Sequence, residues 1–228
     1  VYQADCLELL PTLGRFDACV TDPPYGIGFD YASYDDTREN LRGLVAGLFA
    51  SRELFSRVVI LCGPSQIHEY PTADWVGAIT WNTTGSFGKY GYSQWTPVLL
   101  YGEDLKGFGN VNGVTKADTY HISGGGSVGF QRDADSKLHV CPKPMNIMLN
   151  TVQRYTEAMG SVIDPFLGSG TTGVAAVKLG RKFSGIEIDP GYFDIACRRI
   201  EAALKEPDMF IETPKPMKQA SFLDPEAA

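Results

Sequence analysis

The chain has 228 residues, 43% hydrophobic and 21% charged, with a formal net charge of −7. That composition fits one globular domain with a sizeable core and argues against a disordered or fibrous chain. No run approaches the 18 apolar residues of a membrane-spanning helix, and the acidic balance limits any contact with phosphates to a local basic face.

Five cysteines, Cys6, Cys19, Cys62, Cys141 and Cys197, are scattered without a CxxC pair, which argues against a disulfide framework or a zinc site. They read as small buried hydrophobes in a reducing cytoplasm. No metal is expected, because none of the three histidines sits at ligand spacing. No signal peptide shows; the first residue is Val1 and not Met, so upstream sequence is expected.

In chain order, a buried strand is expected at 17–21, followed by Thr21-Asp22-Pro23-Pro24-Tyr25-Gly26. Two prolines end the strand and hold the backbone extended. Asp22 then stands at the carboxyl edge of a sheet, where open α/β sheets bind ligands. Asp22 and the Pro23 carbonyl are pure acceptors. Together they suit the two hydrogens of an exocyclic amine, with the Tyr25 ring stacking on a flat base. Leu41, Leu44, Val45, Leu48 and Phe49 share one helical face. Strands follow at 57–62, 78–81 and 98–101.

Residues 103–138 carry seven glycines and no regular pattern, and such a stretch within a domain is usually functional. From Lys106 to Lys143 there are five basic and three acidic residues, a local basic excess in an acidic chain. Met145, Met148, Leu149, Val152 and Tyr155 define another helical face.

A strand at 161–164 leads into Asp164-Pro165-Phe166-Leu167-Gly168-Ser169-Gly170-Thr171-Thr172, which opens a helix. Glycines there allow a tight turn and close ligand approach. That helix is expected to end at Gly180. The next strand, 183–188, ends near Glu187, about where a ribose-binding carboxylate belongs. There is no GKS or GKT, and Gly173 falls one place late for GxGxxG, so a nucleoside without a pyrophosphate fits better than a nucleotide or NAD. A last helix opens at Asp189-Pro190 and buries Phe193, Ala196, Ile200 and Ala203. Alternating strands and helices imply a doubly wound α/β fold with a mostly parallel sheet.

The two loops together resemble the signatures of DNA amino-methyltransferases: a DPPY-type catalytic loop, Asp22 to Tyr25, and a DPFxGSGT-type cofactor loop, Asp164 to Thr171. The catalytic loop comes first, which resembles the β-class order. Ala4-Asp5-Cys6 resembles the acidic motif that contacts the cofactor adenine. His139 to Pro144, with Lys143-Pro144, resembles the H-x-x-x-K-P segment. Gly185-Ile186-Glu187-Ile188-Asp189 resembles the ribose-binding strand, and Tyr192 and Arg199-Ile200 fit the helix after it. The resemblance covers roughly residues 1–102 and 139–204.

It implies the S-adenosylmethionine-dependent methyltransferase fold, with one reversed strand and a catalytic domain over 1–102 and 139–206. It also implies a short target-recognition insert at 103–138, leaving an irregular tail at 207–228. S-adenosylmethionine is the implied cofactor. Asp5 would accept from its adenine amine, Glu187 from its ribose hydroxyls, and Lys143 would pair with its methionine carboxylate; Cys6, Ile188 and, secondarily, Asp22 would add contacts. The implied activity is site-specific methylation of N6 of a flipped adenine in double-stranded DNA, of the restriction–modification kind. N4-cytosine methylation of DNA and amino-methylation of RNA stay open. Lys116 and Arg132 are the expected phosphate contacts, and a homodimer is an assembly common in the class.

Overall fold

The computed structural model describes residues 1–81, 87–88, 91–92, 94–103, 110–111, 114–115, 119–122 and 143–205. The main elements are β1 (Tyr2–Gln3), α1 (Cys6–Leu9), β2 (Phe16–Thr21), α2 (Arg38–Ala50), β3 (Phe55–Leu61), β4 (Trp75–Trp81), β5 (Trp95–Gly102), β6 (Thr119–Ile122), α3 (Met145–Tyr155), β7 (Ser161–Asp164), α4 (Thr171–Lys178), β8 (Lys182–Glu187) and α5 (Pro190–Lys205). Eight strands form one sheet in the order β1-β8-β7-β2-β3-β5-β4-β6. Only β5 runs against the rest, pairing antiparallel with β3 and β4.

The central strands are apolar on both faces, as buried parallel strands must be. Successive residues point to opposite sides. Cys19, Val58 and Ile60 join the core under α1 and α2, whereas Ala18, Val20, Val59 and Leu61 join the core under α3 and α4. Leu167, Val174, Ala196 and Ile200 fill the seam between α4 and α5. Burying each valine, leucine or isoleucine among these stabilises the fold by roughly 1.5–3 kcal/mol.

The expected strands all form, within a few residues of the expected bounds. On α2, Leu41, Val45 and Leu48 are the buried face. On α3 the buried face turns to include Ile147 and Thr151 beside Met148 and Val152. Gly180 follows α4 with φ 69°, the left-handed conformation of a helix-ending glycine. Asp189 caps α5 by accepting from the Tyr192 amide at 3.0 Å, and Ile195, not Phe193, takes a fully buried place on that helix.

The stretch expected to lack regular pattern contributes to the main sheet after all. Thr119–Ile122 is an edge strand parallel to β4, with Thr119 opposite Ala78. Flanking glycines hide its short β-prone run, and its pairing partner lies about 40 residues away. Lys116, Arg132, His139 and Cys141 lie outside the described residues, as does the tail from 206 onward. Among the described residues no helix is long and apolar enough to cross a membrane.

Candidate active site

Strands β1, β8, β7 and β2 are parallel neighbours. Their carboxyl ends therefore open on one edge, and each ends at or just before an acid. In spatial order these are Asp5, Glu187, Asp164 and Asp22. With strands about 4.8 Å apart, Glu187 and Asp22 stand roughly 10 Å from each other, a separation suited to a nucleoside with a short side chain. A cleft runs along this edge. Its walls include Asp5, Cys6, Asp22, Pro24, Lys143, Asp164, Pro165, Phe166, Gly168, Ser169, Thr171, Thr172, Glu187 and Ile188, which brings together most of the residues expected from the sequence.

Three of the four acids accept from backbone amides close by. Glu187, 8% exposed, accepts from the Gly168 amide at 2.7 Å with one oxygen and from the Asp189 amide at 2.9 Å with the other. It thereby ties the glycine loop to the turn after β8. Burial raises its pKa, against the opposing pull of these amides. Asp164 is 1% exposed and accepts from the Thr21 hydroxyl at 2.6 Å and the Phe166 amide at 3.1 Å, so its carboxylate joins the ends of β7 and β2. Burial pushes its carboxyl up to about 6. Asp5 caps α1, accepting from the Leu7 amide at 2.8 Å.

Gly168 and Gly170 have φ values of 54° and 83°. A Cβ on Gly170 would lie 2.9 Å from the Ala196 backbone, so only glycine permits this turn against α5. Arg199 reaches back from α5 and donates to the Ser169 carbonyl at 2.6 Å and the Ser169 hydroxyl at 2.9 Å.

Asp22, Tyr25 and Lys143 form a closed triangle of polar contacts. Tyr25 donates its hydroxyl to Asp22 Oδ1 at 2.8 Å. Lys143 lies 2.7 Å from Asp22 Oδ2 and donates to the Tyr25 hydroxyl at 2.9 Å. Its ammonium also stands 4.9 Å from the centre of the Tyr25 ring, within cation–π range. The resemblance assigns Lys143 to a cofactor carboxylate; in the structure its ammonium rests on Asp22 and Tyr25 at the wall of the cleft. Pro23 is buried. Cys62 adjoins it, with its thiol pushed up to about 12 by burial, and Cys6 is raised to about 12 by the same cause. Neither is placed to act as a thiolate nucleophile.

Two features escaped sequence reasoning. Asp36, 2% exposed, accepts from the amides of Gly26 at 2.6 Å, Ile27 at 3.1 Å and Phe29 at 3.0 Å, and so organises the segment after Tyr25. The positive φ of Gly26 and Gly28 lets this loop wrap around one carboxylate. The second is the hairpin pairing Asp30–Tyr31 with Tyr34–Asp35, which forms the outer wall of the cleft. Ser33 donates to Asp189 Oδ2 across the cleft at 2.6 Å, an interaction that lowers the Asp189 pKa. The Tyr34 hydroxyl is raised to about 12, first by burial and then by Asp36 and Asp35. Gly26 and Gly28 flanking an isolated isoleucine are the sequence signal for such a loop.

Residues 76–198 match the family model of the N6/N4 DNA methylases. A type II methyltransferase of Streptococcus pneumoniae, M2.DpnII, is 42% identical over 64 residues, 28% of this chain and 24% of that protein. M.HindIII of Haemophilus influenzae is 42% identical over 66 residues, 29% of this chain and 21% of that protein. The matched segments thus span less than a quarter of those relatives' length. Among solved structures, the M1.HpyAVI–SAM complex superposes with a TM-score of 0.66 at 24% identity, over 87% of this chain and 97% of that one. The cytosine-N4-specific PvuII DNA methyltransferase superposes with a TM-score of 0.66 at 17% identity, over 87% and 84%. At those identities the superpositions establish a shared fold, while the family match covers more than half of the sequence. The chain belongs to the N6/N4 DNA methylase family.

Proposed function

We propose that this chain is a site-specific DNA methyltransferase that uses S-adenosylmethionine to methylate N6 of a flipped-out adenine. The observation that carries the reading is the convergence of Asp22 and Tyr25 with Glu187 on one sheet edge, roughly two strand spacings apart. The cleft fits the cofactor chemically. Asp5, Asp22, Asp164, Glu187 and Asp189 line it against a single described cation, Lys143; that balance suits a cationic sulfonium nucleoside and disfavours a pyrophosphate. Glu187 and Asp5 would hold the ribose and adenine.

When bound, the cofactor would supply an electrophilic methyl group to the amine nitrogen, leaving as the neutral thioether with the S–C electron pair, and the methylated nitrogen would give its extra proton to water. The chain's own part is to position the amine. Asp22 and the Pro23 carbonyl accept its two hydrogens, which frees the nitrogen lone pair from the ring and aims it. Tyr25 stacks on the flipped base. Asp22, where cytosine enzymes of this type more often carry serine, favours adenine. Lys116 and Arg132 are proposed to contact DNA phosphates; replacing either with Ala should lower DNA affinity and reduce the salt slope by about one for each phosphate no longer neutralised. By its type II relatives, the enzyme would serve the modification half of a restriction–modification pair. A homodimer is the proposed assembly.

The test is transfer of labelled methyl to genomic DNA, to matched RNA and to no acceptor, followed by nucleoside analysis. N6-methyladenine in DNA supports the proposal. N4-methylcytosine, or transfer to RNA alone, replaces it with the corresponding reading.

A further inference from the structure

The triangle at Asp22 has a consequence for how the site is loaded. Both oxygens of the carboxylate are engaged, one by the Tyr25 hydroxyl at 2.8 Å and the other by the Lys143 ammonium at 2.7 Å. The side chains of Lys143 and Asp22 are 18% and 21% exposed, so the pair is largely shielded from water, and the attraction is screened less than at a surface. A target amine needs the acceptor positions that Lys143 now faces. At the same time, Lys143 is the only cation among the described residues that line the cleft, in a wall otherwise set with five carboxylates. Any carboxylate-bearing ligand that enters has one positive side chain to meet. Lys143 carries its charge on a flexible four-carbon stem and stands just before α3, next to Pro144, so its head can shift while its backbone stays.

We propose that Lys143 is a shared positioning residue: its ammonium serves Asp22 and Tyr25 on one side and the carboxylate of an amino-acid-bearing cofactor on the other, and when engaged by that carboxylate it leaves Asp22 able to accept the target amine. Cofactor binding and target binding are thereby coupled through one side chain. This rests on the methyltransferase reading above. Because the coupling is a binding free energy, it is reciprocal. It depends on the ligand's carboxylate and not on its nucleoside.

The experiment compares S-adenosylhomocysteine with 5′-methylthioadenosine, which keeps the adenosine and the sulfur but lacks the amino-acid carboxylate. The first arm uses the full chain without nucleic acid. Calorimetry should show S-adenosylhomocysteine binding at least about tenfold more tightly than methylthioadenosine, with the ratio falling to within about twofold in Lys143→Met. The second arm measures affinity for a duplex that the wild type methylates. Saturating S-adenosylhomocysteine should tighten it by about tenfold, within the usual range of such couplings, and methylthioadenosine by less than about twofold. Lys143→Met should remove the difference. If the two ligands act alike on the wild type, or if the coupling survives in Lys143→Met, the inference is overturned; in the second case the carboxylate is held elsewhere, for example by the amino end of α4. The wild-type comparison needs no variant to fold. A chain that methylates no DNA would defeat the functional reading while the first arm still tests Lys143.

Discussion

Asp36 offers the sharpest test of how the loop proposed to be catalytic is built, because it touches neither of the proposed substrates. Its carboxylate takes three backbone amides, at 2.6, 3.1 and 3.0 Å. A hydrogen bond to a charged group contributes about 1.5–3 kcal/mol, so a plain sum would be roughly 5–9 kcal/mol. The amides belong to a rim loop in which Ile27 and Gly28 are exposed, and water will replace part of what is removed. For Asp36→Ala the net destabilisation should be about 2–4 kcal/mol, the size of a broken buried network. It should appear as local opening and not as global unfolding, since the loop lies outside the central sheet. Hydrogen exchange at Gly26, Ile27 and Phe29 should accelerate by roughly 30- to 1000-fold, while strand β3 stays protected. Turnover should fall, because the segment that sets Tyr25 against Asp22 is released. Asp36→Asn, which keeps one acceptor oxygen, should lie between. Unchanged exchange at those three amides would refute the reasoning, whatever happened to activity.

Asp22→Ala should lower single-turnover methylation by on the order of 10²–10⁴ while calorimetry shows cofactor affinity largely kept; near-normal turnover would remove Asp22 from the chemistry. Glu187→Ala should weaken cofactor binding by roughly 1.5–3 kcal/mol, and because Glu187 also holds Gly168 and Asp189, thermal stability should fall with it even without ligand. A drop in affinity with no drop in stability would mean that those two amide hydrogen bonds do not hold the loop. For Asp164, burial places the folded carboxyl at about 6, above the unfolded value of about 3.9. Its contribution to stability is therefore fully present below about pH 4 and is lost as pH rises through 6. Relative to Asp164→Asn, which keeps an acceptor for Thr21, wild-type stability should decline by roughly 2–3 kcal/mol between pH 4 and pH 7; a difference that is flat in urea titrations across that window would contradict it.

The sequence by itself determined what local patterns encode. Apolar runs bounded by turn residues marked six strands, because a strand buried on both faces must be apolar throughout. Pro23-Pro24 marked the end of β2, and Gly168 and Gly170 marked a turn that side chains would block, because proline and glycine act on their own backbone. The spacing of Asp22, Asp164 and Glu187 relative to those strands was enough to expect them on one edge. Only the tertiary structure decided what depends on partners far apart in the chain. Thr119–Ile122 becomes a strand only by pairing with β4. Asp36 becomes a loop organiser only because Gly26 and Gly28 turn three amides toward it. Lys143, read from its motif as a cofactor ligand, comes to rest on Asp22, 121 residues earlier in the chain. A salt bridge has direction and reach but no sequence period, so its partner is chosen by the fold that brings the two charges together.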